Sequence, residues 1–373
     1  MFQGDPKAHN ALNVNNVSVT SNSNETRMGM KYILQWTSPK NVPFVYMGVG
    51  QQGFIDRNCS HTNCYVTNDR NYLGDYTKFN VIVFAGPEVV VYDKKNLPHR
   101  RSPHQKFAFA SIESADNYPV CSRTLDNFFN WTWTYRLDSE AKWGYIVVRD
   151  SENKIIGPKT NMHWMKLEDM DPTSDKIREI IKNKTKTAAW FVSNCYTKSS
   201  RETFVKLLKF ELKKYNRTVD IYGKCGSLKC LRDNDKCSKM LENDYFFYLS
   251  FENSFAEDYV TEKLLHPLQN YVVPIVYGAA NYTRFMPDGI YLNAFELGPV
   301  KLAKKMNELL EDEEKYIKYF KWKNHYSYHR RSESVETDDY CRFCSMLYEE
   351  DLVRKSTIYD NFKEWWNPRN VKC

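Results

Sequence analysis

No stretch of about 20 apolar residues occurs in the chain, so nothing in it reads as a membrane-spanning helix. The opening run, MFQGDPKAHNALNVNNVSVTSNSNETRM, lacks the apolar core of a secretory signal. Neither GxGxxG nor GxxxxGK(S/T) is present, which removes the dinucleotide fingerprint and the P-loop. Positive charge is thinly spread: the net charge is +7, and the densest basic runs, KNLPHRR and SYHRRSES, are short. No basic stripe with interleaved aromatics points to nucleic acid. An anionic small ligand needs only a few such charges. No internal repeat or low-complexity array interrupts the chain.

What is present sets the class. A chain of 373 residues exceeds one ordinary core and suits two domains. Its 42% hydrophobic and 27% charged content is that of a globular protein, which argues against bulk disorder. Aromatics are abundant (26 Tyr, 21 Phe, 9 Trp), as in carbohydrate-handling proteins but also in many secreted ones, so they decide little alone. Ten cysteines accompany seven N-x-S/T sequons, at Asn16, Asn24, Asn58, Asn130, Asn183, Asn216 and Asn281. Together they point to the secretory pathway, where disulfides persist. The competing reading is zinc, held by Cys341 and Cys344 of a CxxC with Cys59 and Cys64; the wide Cys59–Cys64 gap and the distance between the pairs weigh against it. Secretory marks without a targeting segment suggest the lumenal part of a longer protein.

Residues 1–30 are rich in Asn and Ser and read as a disordered stem. Strand-like runs follow at KYILQWT, CYVTND, FNVIVFAG, KFAFASIE and FFNWTWTY, with room for helices between them. The alternation favours an α/β layer fold. Turn residues gather in PKTNMHWMKLEDMDPTSDK, which places a domain boundary at residues 170/171. Then comes a βαβ unit: TAAWFVSN, the loop CYTKSS, the amphipathic run RETFVKLLKFELKKY and VDIYG. Phe204, Leu207, Leu208, Phe210 and Leu212 are expected on its buried stripe. The sheet is expected to be parallel. DYFFYLSF, YVVPIVYG and GIYLNAF continue it, and a helix is expected from about Val300 to Lys323. A tail, residues 341–373, holds the CxxC and FKEWWNP.

Ligands of a parallel sheet bind beyond the carboxyl ends of its strands. Two loops qualify. SNCYTKSSR offers Ser, Asn and backbone N–H donors before a helix that starts at Arg201, where a cation opposes the helix dipole unless an anion lies between. FENSFAEDYVTEKL reads as a helix capped by Asp258 and starting at Tyr259, with Glu262 and Lys263 in its first turns. Each has a bland alternative, an exposed arginine and a capped surface helix. Side by side on one sheet edge they fit a sugar nucleotide, phosphates near Arg201 and Lys263 and hydroxyls near Glu262. Two DxD triplets, Asp169-Met170-Asp171 and Asp233-Asn234-Asp235, are candidate sites for a diphosphate-bound divalent ion. Glu113, leaving the strand KFAFASIE, is a candidate general base, against a simple exposed turn residue.

FYLSFENSFAEDYVTEKL followed by VVPIVYG resembles the signature of the α1,3-fucosyltransferases of glycosyltransferase family ten. FNWTWTYRLDSE resembles their acceptor-domain segment and WFVSNC…R their first donor-domain loop, in the same order from Lys31 to Cys344. The resemblance implies a GT-B arrangement, two Rossmann-like α/β domains facing a central cleft. Residues 31–170 would bind the acceptor, 171–340 GDP-β-L-fucose, and the tail would return to the N-terminal domain. It implies inverting transfer to the 3-hydroxyl of GlcNAc, with Glu113 as base. Arg201 and Lys263 would contact the diphosphate, Glu262 and Tyr259 the fucose–ribose region, Asn194 and Asn253 the donor pocket. Tyr222 and Gly223 fall where the guanine loop is expected. No obligatory metal is implied, and the DxD triplets are discounted.

The resemblance also implies bridges from Cys59 and Cys64 to Cys341 and Cys344, further ones among Cys195, Cys225, Cys230 and Cys237, and residence in the Golgi lumen of a type II membrane protein whose anchor is not in this sequence. ESADNYPVC and the extra cysteine loop are most similar to invertebrate core-type enzymes, which act on the innermost GlcNAc of N-glycans on glycoproteins. A Lewis-type enzyme acting on LacNAc antennae, and an inactive glycan-binding module on the same scaffold, are the alternatives. Pro267 departs from the pattern, since an interior proline is expected to kink the helix.

Overall fold

A computed structural model of the chain describes residues 29–230, 235–355, 357–367, 371 and 373. They form two compact units. The first holds residues 29–113, Val120–Thr134 and Ser334–Trp365; the second holds Ser114–Pro119, Tyr135–Glu333 and the residues from Trp366 on. The class is α/β, as the strand runs anticipate.

In the first unit five parallel strands lie side by side in the order Cys64–Thr67, Lys31–Gln35, Val81–Ala85, Lys106–Ser111, Trp131–Thr134. Every residue of Val81–Ala85 and Lys106–Ser111 is buried. Such unbroken burial is what parallel strands covered on both faces require, and it explains their continuous β-branched and aromatic runs. The connections hold only short helices, Gln52–Asp56 and Gly86–Val89 among them.

The segment Ser334–Trp365 packs into this unit through aromatic contacts and sulfur. Phe343 stacks on Trp133 at 4.5 Å, and Trp133 Nε1 donates to Asp339 Oδ2 at 2.9 Å. Asp338 caps helix Asp339–Met346 by accepting from the backbone N–H groups of Tyr340 and Cys341. Disulfides Cys59–Cys341 and Cys64–Cys344 close loops of 282 and 280 residues. These four thiols are therefore bridged rather than metal-binding.

Asn130 is a correction to the sequon set. It is 7% exposed, with Oδ1 accepting from the Phe107 N–H and Nδ2 donating to the Thr357 carbonyl. A side chain used in this way cannot carry a glycan in the folded state. Asn58, Asn183, Asn216 and Asn281 are exposed; Asn16 and Asn24 lie outside the described residues.

The second unit repeats the topology. Its five parallel strands run in the order Val219–Tyr222, Lys186–Phe191, Tyr245–Phe251, Val273–Tyr277, Leu292–Asn293. Helix Arg201–Leu212 makes the first crossover and buries Arg201, Val205, Leu208 and Leu212. At about 100° per residue these four lie on one line, whereas Leu207 and Phe210 turn away and are 53% and 64% exposed. The expected stripe was therefore rotated from the real one, because the buried arginine was not counted as part of it.

Strands Val147–Asp150 and Ile155–Gly157 form a small antiparallel sheet with Tyr326–His329, so this stretch belongs to the second unit. The expected helix from Val300 to Lys323 is several pieces. Ala294–Leu310 breaks at Gly298, whose φ of 66° is non-helical; Asp312 then caps Glu313–Ile317, and a 3₁₀ turn covers Lys318–Asn324.

Cys195–Cys225 and Cys230–Cys237 are bridged, and Cys121 and Cys373 are in disulfides as well. Among the described residues no helix is long and apolar enough to cross a membrane.

Removing one long-range bridge, Cys64→Ser with Cys344→Ser, is expected to lower stability by about 2–5 kcal/mol. Denaturant unfolding under non-oxidising conditions measures it, and an unchanged midpoint would show that these bridges do not constrain the unfolded chain.

Candidate functional site

The strand order of the second unit, 2-1-3-4-5 along the chain, makes the connections leave strands Lys186–Phe191 and Tyr245–Phe251 in opposite directions. In sheets of this order ligands bind at the carboxyl ends of these strands. Loops 192–200 and 252–261 follow these strands and are sewn together. Ser199 donates its N–H to the Asn253 carbonyl at 3.1 Å and its hydroxyl to the Glu252 carbonyl at 2.7 Å. The Tyr277 hydroxyl donates to the Ser199 carbonyl at 3.3 Å.

Arg201 lies beneath these loops. It is 3% exposed and packs 5.7 Å from the centre of the Trp190 ring. One terminal nitrogen donates to the Phe251 carbonyl at 2.5 Å and the other to the Asn194 carbonyl at 3.2 Å. Its Nε is buried with no partner among the described residues. Burial holds its pKa below the usual arginine value, opposed by Glu252 and Glu202. The helix it begins has no side-chain cap at Ser200, whose φ is 52°. Glu202 instead reaches back, accepting from the N–H and hydroxyl of Thr197. The exposed-arginine alternative is thereby excluded.

The second loop is organised by Glu252, a residue that motif reading passed over. It directly follows the apolar strand, is 1% exposed, and accepts from the Thr261 N–H at 2.9 Å and the Thr261 hydroxyl at 2.9 Å. Its other oxygen lies 3.1 Å from the Lys263 ammonium, which also donates to the Thr261 hydroxyl at 2.6 Å and lies 3.5 Å from Glu262. Burial acts to lower the Lys263 pKa, but Glu252 and Glu262 raise it above the usual value. Burial likewise acts to raise the Glu262 pKa, and Lys263 and His266 lower it. A carboxylate at the end of an apolar strand was the available signal for Glu252.

The helix starts later than its sequence suggests. It spans Glu262–Gln269 with Thr261 at the cap position, not Asp258. Asp258 is buried in the left-handed region at φ 57°, accepting from Arg284 at 2.7 Å and from the Leu137 N–H at 3.2 Å. Pro267 removes the N–H that would bond the Lys263 carbonyl. The Ser250 hydroxyl donates there instead, at 3.0 Å, so the proline is tolerated.

The remaining candidates divide. Asn253 is buried, its Oδ1 accepting from the Ser254 hydroxyl at 3.1 Å, while the Asn194 side chain is exposed. Tyr259 is a core aromatic, edge-on to Tyr135 at 4.9 Å. The Tyr222 hydroxyl lies 2.7 Å from that of Tyr245, which donates to Asp220. Gly223 has φ +99°, and a Cβ there would sit 2.5 Å from the Val192 carbonyl oxygen; only glycine lets this turn close on the first loop. Cys195–Cys225 locks the same two loops covalently.

Glu113 lies just past strand Lys106–Ser111 of the first unit, half-buried, its carbonyl accepting from the Ser111 hydroxyl at 2.9 Å. The next residues in the chain are pinned within the second unit: the Ser114 and Ser254 hydroxyls are 2.5 Å apart, and the Phe255 N–H donates to Asp116 at 3.2 Å.

Asp169 and Asp171 are exposed, with Asp171 3.4 Å from His325; Asp233 and Asn234 lie outside the described residues. Among the described residues no group of three or more His, Cys, Asp or Glu side chains is arranged to hold a metal ion.

Residues 181–365 match the model of the C-terminal part of glycosyltransferase family 10 (fucosyltransferase), and residues 28–146 match the N-terminal fucosyltransferase model. The chain is 35% identical over 323 residues to alpha-(1,3)-fucosyltransferase C of Drosophila melanogaster, covering 85% of this chain and 72% of that protein. It is 32% identical over 334 residues to glycoprotein 3-alpha-L-fucosyltransferase A of the same organism, covering 86% of this chain but only 58% of that relative. A crystal structure of an alpha1,3-fucosyltransferase shares the fold, with a TM-score of 0.50 and 13% identity over 87% of this chain and 92% of that one. The chain belongs to glycosyltransferase family 10, the fucosyltransferases.

Proposed function

We propose that the chain transfers L-fucose from GDP-β-L-fucose to the 3-hydroxyl of GlcNAc in the core of glycoprotein N-glycans, inverting the anomeric centre, in the Golgi lumen. The observation that carries this reading is the Arg201 guanidinium, buried beside Lys263 at the switch point with no partner for its Nε among the described residues. Two cations at a sheet's switch point call for an anionic ligand, and a nucleoside diphosphate sugar is the form that the family uses. The sequons, the disulfides and relatives named for α1,3 transfer and for glycoproteins support the acceptor and the compartment.

In this mechanism the fucose C1–O bond to the diphosphate breaks as the acceptor O3 bonds to C1 from the opposite face. The departing electron pair stays on the diphosphate. Arg201 and Lys263 stabilise the growing negative charge, and because they are held by carbonyls and by Glu252 they need little reorganisation to do so. Glu113 takes the hydroxyl proton. No obligatory metal is called for. Asn253, Asn194, Glu262 and the Tyr222–Gly223 turn orient the donor.

The test is transfer from GDP-fucose to defined N-glycans and to LacNAc, with product linkage read by NMR. Core N-glycan is expected to be fucosylated at O3 of the innermost GlcNAc; a product on LacNAc alone would assign the Lewis-type activity. Glu113→Gln is expected to lower turnover by about 10²–10⁴-fold with GDP binding intact. Near-normal turnover in that variant would remove Glu113 as the base, and GDP-free binding of glycans would indicate a lectin-like module.

Glu252→Gln tests the electrostatics. It leaves Lys263 partly uncompensated and is expected to cost about 1–3 kcal/mol of stability. Saturating GDP, by supplying the missing negative charge, is expected to raise the thermal midpoint more in the variant than in the wild type. Equal GDP-induced shifts would place Lys263 away from the diphosphate.

A further inference from the structure

The basic run KNLPHRR has no role in the donor site. It lies in the first unit, where the sheet has the same 2-1-3-4-5 order and hence its own switch point, between strands Lys31–Gln35 and Val81–Ala85. A cavity of about 260 Å³ opens at this place. Trp36, directly after the first of these strands, forms its inner wall, with Tyr76 and Tyr92 beside it; Arg70, Lys95 and His99 stand on its rim. No carboxylate lines it. Glu88, which follows the second strand, is occupied by the Ser38 N–H, the Asn41 amide and the Tyr92 hydroxyl.

The wall is built for rigidity. Trp36 is buried and donates its indole N–H to the Asn96 carbonyl at 2.8 Å, while Tyr76 packs edge-on at 5.3 Å. The Arg70 guanidinium lies 3.6 Å from the centre of the Trp36 ring and donates once, to the Trp36 carbonyl at 3.1 Å. Among the described residues no carboxylate pairs with it. A guanidinium stacked on an indole and pinned by one bond keeps a fixed fork of free N–H groups. That geometry suits bidentate recognition of an oxyanion. Lys95, whose nearest acid is the exposed Asp93 at 3.7 Å, and His99 extend the positive rim.

We propose that this cavity is a second acceptor subsite that takes a sugar residue bearing an oxyanion, a carboxylate or a sulfate ester. The proposal rests on the glycosyltransferase reading. The cavity has room for a single sugar ring. It lies on the same edge of the sheet as Glu113, whose strand is two positions away. At the usual strand spacing that is roughly 10 Å, the span of a disaccharide rather than of one ring. The oxyanion would therefore sit on a residue of the acceptor glycan other than the one that receives fucose.

The experiment compares transfer to one neutral acceptor oligosaccharide with transfer to the same oligosaccharide carrying a uronic acid residue or, separately, a sulfated residue. Wild type, Arg70→Ala and Arg70→Lys are measured at low and at high salt. At least one acidic acceptor is expected to have a KM roughly 10-fold below the neutral one at low salt. Arg70→Ala is expected to erase that difference in KM, and Arg70→Lys to retain only a part of it. The arm that shows the effect identifies the oxyanion. Equal KM values in the wild type, or an undiminished preference in Arg70→Ala, overturn the proposal. Titration of the protein with methyl β-D-glucuronide against methyl β-D-glucoside, followed by NMR without donor, separates the two readings. If no acceptor is fucosylated the transferase reading fails, while selective binding of the glucuronide, lost in Arg70→Ala, still upholds the cavity. In that case absence of selective binding removes the cavity proposal as well.

Discussion

The paired loops of the second unit depend on one constraint: a guanidinium and an ammonium must stay charged where water is scarce. An isolated buried charge costs several kcal/mol, and the chain offsets this by surrounding each cation with oxygen. Arg201 takes the carbonyls of Phe251 and Asn194, the last residue of one strand and the third residue beyond another. Lys263 takes Glu252 and the Thr261 hydroxyl. These acceptors exist only because the parallel sheet ends both strands at the same level and sends their loops apart. The rest of the site follows: Ser199 ties the loops, Cys195–Cys225 and Gly223 hold the adjoining turn, and Ser250 satisfies the carbonyl that Pro267 leaves open. The compensation is incomplete at one point: among the described residues nothing pairs with the Arg201 Nε.

The same topology in the first unit carries a different set of side chains. There the switch point is walled by aromatics, and its cation, Arg70, is held by stacking rather than by burial. An exposed, preorganised arginine can exchange ligands with water between encounters. A buried arginine with carbonyl partners is suited to a single, tightly specified anion.

Much of this was legible in the sequence. The strands announced themselves because fully buried parallel strands need unbroken apolar runs, as in Val81–Ala85 and Tyr245–Phe251. Loops 192–200 and 252–261 stand out because strand ends and helix starts fix where ligands of such sheets lie. What failed were features decided by tertiary contacts. Asp258 has the composition of a helix cap, but its left-handed backbone and its bond to Arg284 put it three residues before the real cap position. Leu207 and Phe210 look like core residues until Arg201 is allowed onto the buried face. Glu252 carries no motif of its own; its importance comes from burial and from Lys263, eleven positions later in the chain. Asn130 obeys the sequon rule, but the Phe107 N–H and the Thr357 carbonyl consume its amide.

The central claim is that Arg201 and Lys263 form a diphosphate site. Calorimetric titration with GDP and with GMP at one ionic strength tests it most directly, because the two ligands share base and ribose and differ by the second phosphate. The account predicts that GDP binds at least about 10-fold more tightly, the worth of one additional charge-assisted contact. Equal affinity for the two nucleotides would contradict it.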